Sequence, residues 1–340
     1  MRPVPGPVVA ASPRQAARRV AYGVGVAAVA GAALGAVVHF VGPESNKLAV
    51  ASSFVPLLLV VGLAGLLVLA AVRAWRTLAV GTVVVLSGLA TQAPLYVRNV
   101  PDAGASEAPI RLLQANIRLG EAEPDALVEL VRSRSVNVLT VEELTDDAVG
   151  RLRDAGLEDL LPMTYLSPKE SGGGGTGIYS RFELRDPEPL GRFSMANLVT
   201  TLDLGDGRSV TLAAVHPMPP YPSPAWMWAA EMEKLAALLH ERAADGTPMI
   251  VSGDFNSTYS HSRYRDILTD GFVDAGEQAG AGLVPTYPAD RWYPAVIAID
   301  RIVLRDTVVG EYERVDLPGS DHHGLFATLT PEFDTTEVSQ

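Results

Sequence analysis

The chain has 340 residues, with 27 Lys/Arg against 39 Asp/Glu and no cysteine. Absent cysteine excludes disulfides, thiolate nucleophiles and zinc–thiolate centres, so any metal must be held by oxygen or nitrogen ligands. Residues 1–105 carry 8 basic and 2 acidic side chains, which leaves 19 basic and 37 acidic beyond them, a net −18; so acidic a domain gains little counterion release on nucleic acid, a disfavoured partner.

Three apolar runs come first, at about 20–41, 48–72 and 77–97, none with an Asp, Glu, Lys or Arg. Each reaches the ~20 residues a helix needs to cross a hydrocarbon core. They predict three transmembrane helices in an N-terminal membrane anchor, residues 1–98, of a multi-pass protein of the cell membrane. Arg14, Arg18 and Arg19 precede the first run, and Arg73 and Arg76 link the second to the third; the other link holds Glu44 and Lys47. The positive-inside rule then puts the N-terminus in the cytoplasm and the rest of the chain, after three crossings, outside it. A signal peptide is the rival reading of the first run, set aside because two more runs follow at once. Residues 99–109, with Pro, Gly, Ala and Ser, read as a flexible linker.

From Ile110 short apolar runs alternate with helical stretches. Strands are predicted at 110–115, 136–141, 176–180, 198–204, 209–215, 249–252, 298–304 and 325–329, and helices at 124–133 and 226–242. Gly205-Asp206-Gly207 marks a hairpin and Gly172–Gly175 a mobile loop. Strand pairs interrupted by helices imply a mixed, layered α/β domain over 110–330. Residues 331–340 form a polar tail.

The residues that follow apolar strands carry the chemistry, because strand ends along one edge of an α/β sheet are where ligand-binding groups collect. In chain order they are Asn116, Glu142-Glu143, His216, Gly253-Asp254-Phe255-Asn256, Asp300 within Ile299-Asp300-Arg301-Ile302, and Ser320-Asp321-His322. Singly each has an ordinary reading: a turn Asn, a helix-capping Glu, an Asx turn, an ion-paired Asp. His39 and His240 are given no role. Hard carboxylate and amide oxygens suit Mg²⁺, Mn²⁺ or Ca²⁺, and imidazolium donors offset the charge of a phosphoryl transition state.

Taken together and in this order, these motifs resemble those of the endonuclease/exonuclease/phosphatase (DNase I-like) superfamily, over roughly residues 110–330. The resemblance implies a DNase I-like four-layer α/β sandwich and a divalent cation, Mg²⁺ or else Mn²⁺ or Ca²⁺. By position it implies Glu143 as the main metal ligand, helped by Asn116 and Asp321. It implies Asp254 as the group that orients or deprotonates the attacking water, and Asn256 as a phosphate contact. His322 then meets the scissile phosphoryl group, Asp300 fixes the tautomer and charge of His322, and His216 is the second active-site histidine. Two positions depart from the pattern: Ala115 stands where an aromatic is usual, and Glu142 where a Gln is usual.

Three apolar runs before such a domain resemble a bacterial subgroup associated with glycopeptide (teicoplanin) resistance. That likeness implies an extracytoplasmic phosphatase acting on undecaprenyl pyrophosphate or a related lipid-linked phosphate. Alternatives are an extracytoplasmic nuclease, a sphingomyelinase-like phosphodiesterase, and a non-catalytic envelope-binding protein. Trp226 and Trp228, after the Pro-rich stretch 217–224, are read either as an apolar lip or as part of an amphipathic helix.

Overall fold

The computed structural model describes residues 12–42, 45–100 and 109–333; most of the 99–109 linker and of the 331–340 tail lies outside them. Two compact units divide the chain, Met1–His39 with Phe54–Gln92, and Phe40–Ser53 with Ala93–Gln340.

The first unit holds α1 (Pro13–Val41, ending in the second unit), α3 (Val55–Ala71) and α4 (Trp75–Ala90); α2 (Asn46–Ser53) falls in the second. Glycine lets these helices approach closely: a Cβ on Gly62 would sit 2.5 Å from the Ala32 Cβ, and one on Gly65 2.6 Å from that of Ala28. The Arg18 guanidinium donates to the Val72 carbonyl at 2.9 Å. The start of α1 thus lies beside the end of α3, and the basic residues of the N-terminal flank and of the 73–76 link gather at one end. Outward-facing Val20, Leu67 and Val80 are each about two-thirds or more exposed.

The three-span expectation is corrected here. Among the described residues only α1, at 29 residues, is as a single helix long and apolar enough to cross a membrane. The second run is broken at Phe54, where α2 and α3 meet at 70°, and the third gives a helix of 16 residues. At 1.5 Å per residue that helix spans only ~24 Å, short of a ~30 Å core. Composition showed how apolar the runs are, not where they bend.

The second unit is built on two six-stranded sheets. Its strands are β1 (Ile110–Asn116), β2 (Val138–Glu142), β3 (Met163–Ser167), β4 (Thr176–Ser180), β5 (Glu183–Pro189), β6 (Leu198–Gly205), β7 (Arg208–Val215), β8 (Met249–Asp254), β9 (Val273–Asp274), β10 (Asp300–Arg305), β11 (Thr307–Val315) and β12 (Gly324–Pro331). Its other helices are α5 (Pro124–Ser133), α6 (Asp146–Asp154), α7 (Leu157–Leu160), α8 (Ala225–Arg242), α9 (Ser262–Arg265) and α10 (Ala275–Ala279). Spatial order is β11-β12-β1-β2-β4-β3 in one sheet and β5-β6-β7-β8-β10-β9 in the other. Each sheet has one parallel pair at its centre, β1 with β2 and β7 with β8, crossed over by α5 and α8 respectively. All other pairs are antiparallel.

Side-chain alternation sorts the strands into layers. Leu113, Ala115, Leu139 and Val141 pack outward with α5, α6 and α7. Val251 and Val303 pack outward with Trp228, Met232 and Leu235 of α8. Leu112, Val138, Leu212, Ile250 and Ile302 meet between the sheets. The result is a helix–sheet–sheet–helix stack, the two-sheet architecture of DNase I-like proteins.

The same period of two carries polar side chains into the gap between the sheets at one end. Gln114 and Asn116 follow Leu112 on its face of β1, and Thr140 and Glu142 follow Val138 on β2. Ser252 and Asp254 follow Ile250 on β8, while Asp300 precedes Ile302 on β10. Thr140 and Ser252 hydroxyls hydrogen bond across the gap at 2.8 Å, so the interior turns from apolar to polar one residue pair before the sheet ends.

Candidate active site

At that polar end Asp254 and Asp300 are direct register partners on β8 and β10. Like charges so placed repel, and His322 relieves the repulsion: its Nδ1 lies 2.9 Å from Asp300 Oδ2, its Nε2 3.9 Å from Asp254 Oδ2. All three side chains are buried. Burial disfavours a charged imidazole, but Asp300 above all, with Asp254 and Asp321, overrides it and pushes His322 up to about 10. Burial would likewise lift Asp300; the His322 charge and hydrogen bond, with Thr286 and Gln114, hold it below its usual range. Asp254 ends above its usual range through burial first and the facing Asp300 second. The site thus sets an ionised Asp300 and a cationic His322 against a more proton-seeking Asp254.

Hydrogen bonds fix Asp254 further. Asn116 Nδ2 donates to its Oδ2 at 3.1 Å, and the Asn256 backbone amide to its Oδ1 at 2.8 Å. His216, buried at the end of β7, places Nε2 3.7 Å from Asp254 Oδ2. Its Nδ1 has no hydrogen-bond partner among the described residues. Asn256 Nδ2 donates to the Pro217 carbonyl at 3.0 Å, which ties the loop after β8 to the loop after β7.

Glu143 stands beside this group with a left-handed backbone, φ 59°, a conformation uncommon outside glycine and concentrated at functional sites. Its carboxylate accepts from Leu119 N at 2.7 Å and from Asn116 Nδ2 at 3.3 Å. Arg118 and Leu119 (φ 45° and 52°) and Asn256 (φ 49°) share that conformation around the site. Burial raises the half-buried Asp321 carboxyl; the Glu143 charge adds to this and His322 opposes it. Every residue predicted for the site from sequence, Asn116, Glu143, His216, Asp254, Asn256, Asp300, Asp321 and His322, therefore lies at this one end of the sandwich.

Three further residues contribute, of which only Gln114 carried no signal in the sequence. Gln114 Nε2 donates to Glu142 Oε2 at 2.7 Å and to Asp300 Oδ1 at 2.8 Å, bridging the two sheets. Glu142 is fully buried, and burial lifts its carboxyl well above the usual range against the pull of Gln114; it faces the interior while Glu143 faces the site. The Tyr287 ring lies 4.8 Å from that of His322. Trp228 is corrected from a possible lip residue to core: it is buried and its Nε1 bonds the Ser257 hydroxyl.

Two donor sets compete for a cation. Asp254, Asp300 and His322 bring potential ligand atoms within 4.8 Å of one another. A protonated His322 offers no lone pair, however, and Asp300 is already spent on it. Asn116, Glu143 and Asp321 supply hard oxygens without a protonated neighbour in the set, and the repulsion between the Glu143 and Asp321 carboxylates is what a divalent ion offsets. These residues fit the ion.

Paired sheets ending in a carboxylate-rich, His–Asp-supported cluster define a class of phosphoester hydrolase that works with a divalent metal. The profile of the Endonuclease/Exonuclease/phosphatase family matches residues 113–322, well over half of the chain, and the protein belongs to that family. Its members are typically hydrolases of phosphoester bonds that use divalent metals. Among similar solved structures is D. rerio TDP2 complexed with single strand DNA product, at 17% identity and TM-score 0.54, covering 66% of this chain and 100% of that one. A family protein from Bacteroides thetaiotaomicron matches at 16% identity and TM-score 0.51, covering 67% and 100%. One from Beutenbergia cavernae matches at 17% and 0.54, covering 66% and 72%. At such identities the likeness is one of fold. No curated protein matches the sequence.

Proposed function

We propose that the protein is a Mg²⁺- or Mn²⁺-dependent phosphatase, held at the cell membrane by its N-terminal helices, that acts on a lipid-linked phosphate or pyrophosphate. The observation that carries the hydrolytic part is the pairing of the Asp300-supported His322 with the raised Asp254 beside Asn116 and Glu143. Asn116, Glu143 and Asp321 would hold the ion, which when bound polarises a phosphoryl oxygen and neutralises its charge. Asp254 orients the attacking water and accepts its proton, a role suited by a carboxyl lifted above its usual range. His322, kept charged and aimed by Asp300, donates to the phosphoryl oxygens as negative charge builds there. His216 Nε2 and the second Asn256 amide hydrogen would offer further donors beside Asp254.

The membrane part is supported by α1 and by the apolar outer faces of α3 and α4. Basic side chains at one end of that helical unit favour a cytoplasmic placement of that end, and the reading puts the active site outside the cytoplasm. A tether raises the effective concentration of a substrate confined to the bilayer, and the −18 charge beyond residue 105 disfavours a nucleic acid substrate.

The test is turnover of a polyprenyl pyrophosphate, a sphingomyelin-type diester and plasmid DNA by the purified chain with Mg²⁺ or Mn²⁺. Phosphate release from the first alone is expected, reduced on the order of 10³-fold in Asp254→Ala and His322→Ala. Plasmid nicking would put a nuclease in its place. Turnover equal to that of the variants on all three would end the enzymatic reading and leave a binding protein. A reporter fused after Gln340 is expected to work only outside the cytoplasm; activity inside reverses the orientation.

A further inference from the structure

Beyond the reacting centre, the catalytic unit holds a groove of about 350 Å³ between the segment 165–169 and the segment 189–198. Its lining combines the rings of Tyr165 and Phe193 and the side chain of Met195 with two cations, Lys169 and Arg192. Among the described residues neither cationic head has an ion-pair or hydrogen-bond partner. Every other Lys or Arg within 109–333 touches a carboxylate or a carbonyl oxygen. Beyond residue 105 the chain offers 37 acids to 19 bases, so partners abound. Two solvated side chains would be the ordinary reading if they were scattered; these two line a single groove.

The groove is keyed to the reacting centre at both ends. Asn197 in its wall accepts from the His216 amide at 2.9 Å. Ala196 donates to the Gly174 carbonyl at 2.9 Å, and a Cβ on the neighbouring Gly173 would lie 3.3 Å from the Glu143 carboxyl carbon. Glu231 of α8 accepts from Ser194 N at 2.7 Å and from Met218 N at 2.9 Å, clamping the groove wall to the loop after His216. Lys234 sits 4.9 Å above the Phe193 ring and packs against it. The groove thus adjoins the segments that carry Glu143 and His216, and its lining offers two unmatched positive charges and a strip of aromatic and thioether surface.

We infer that this groove is the subsite for the non-reacting part of the substrate, a second phosphate gripped by Lys169 and Arg192 with an apolar chain along Tyr165, Phe193 and Met195. The inference rests on the phosphatase reading above and narrows its substrate class to amphiphilic diphosphates. Cationic heads recognise the anion by charge-assisted hydrogen bonds, and the rings and thioether supply the apolar contact a free phosphate could not use.

The test uses the full chain in detergent with Mg²⁺ and compares farnesyl diphosphate with farnesyl monophosphate. In the Lys169→Ala, Arg192→Ala double variant, KM for the diphosphate is expected to rise at least about tenfold with kcat within about twofold. The diphosphate-over-monophosphate ratio of kcat/KM falls accordingly. An Arg132→Ala, Arg153→Ala double variant removes the same charge from α5 and α6 and leaves that ratio in place. Phe193→Ala weakens binding of farnesyl diphosphate but not of inorganic pyrophosphate, which separates the amphiphile from free phosphate. An unchanged KM, an equal loss on both substrates, or the same effect in the α5/α6 variant overturns the inference while leaving the phosphatase reading intact. If the wild type hydrolyses neither substrate, equilibrium binding of farnesyl methylenediphosphonate decides instead. Binding weakened about tenfold in the groove variant sustains the subsite; no binding, or equal binding, overturns it. Loss of oligonucleotide binding with diphosphate binding retained also overturns it, in favour of a nucleic acid.

Discussion

His322 owes its charge chiefly to Asp300, with smaller help from Asp254 and Asp321. Asp300→Asn keeps the shape but removes the carboxylate, so the His322 pKa is expected to drop from about 10 toward its ordinary 6.5. A histidine NMR titration of metal-free protein reads this directly, and kcat is expected to fall about 10²- to 10³-fold. The pair also links stability to pH. Because the folded-state value lies above 6.5, its stabilisation is complete below about pH 6.5 and is lost as pH rises through about 10. The wild-type melting midpoint is expected to decline over that interval, and that of Asp300→Asn to decline less. At this scale the sequence was most legible where hydrolytic chemistry tolerates few residue types: Asp254, Asp300 and His322 could be named before any contact was known. Gln114 could not. Its partner Asp300 lies 186 positions away, and only counting back two from Asn116 along β1 hints that it shares the interior face. By resemblance Glu143 was preferred to Glu142 as a ligand, and the left-handed turn at Glu143 sends the two adjacent carboxylates into different surroundings.

Among the elements, the strands left unread in the sequence are β3, β5, β9 and β11, the outermost strands of both sheets. Edge strands protect their free hydrogen-bonding groups with charge, proline and bulges, which erases the apolar run that marks a central strand. Thus β5 reads Glu-Leu-Arg-Asp-Pro-Glu-Pro and shifts register between Arg185 and Glu188, and β11 shifts between Val309 and Tyr312. Central strands allow no such freedom. On β8 a Cβ at Gly253 would stand 1.9 Å from the Val215 carbonyl oxygen of its parallel neighbour. Gly253→Ala is therefore expected to destabilise the fold by at least about 3 kcal/mol and to displace Asp254, seen as a lower melting midpoint with loss of turnover. The short α2 is secured differently. His261 Nδ1 accepts from Thr258 N at 3.0 Å while its Nε2 donates to the Ala49 carbonyl at 3.0 Å, so the ring is neutral. Burial lowers its pKa from 6.5 to about 4. With the folded value depressed, this contribution is present above about pH 6.5 and is lost as pH falls through about 4. His261→Asn is expected to flatten the acid side of the stability curve, measured by thermal melts between those limits.

For the molecule as a whole, the boundary between hydrophobic and catalytic units does not follow the order of the chain. Residues 40–53 belong to the catalytic unit although they lie between α1 and α3. Asn46 donates to the Pro220 and Ser223 carbonyls at 3.0 and 2.6 Å, holding the loop that runs from His216 to α8. A fragment of residues 93–340 lacks that support and is expected to melt at least about 5 °C below the full chain, by differential scanning calorimetry in the same detergent. Composition divided the chain near residue 98 because hydropathy averages over a window, and eight residues of α2 vanish inside an apolar stretch. The interleaving has a consequence for how such an enzyme is released or rebuilt. A protease that nicks the stretch between residues 100 and 109 separates the body from the helix whose Asn46 and Ala49 hold its loops, so shedding is expected to yield a weakened body and not an intact secreted one. Any lineage or engineer seeking a free-standing form must first transplant that one short helix to the far side of the cut.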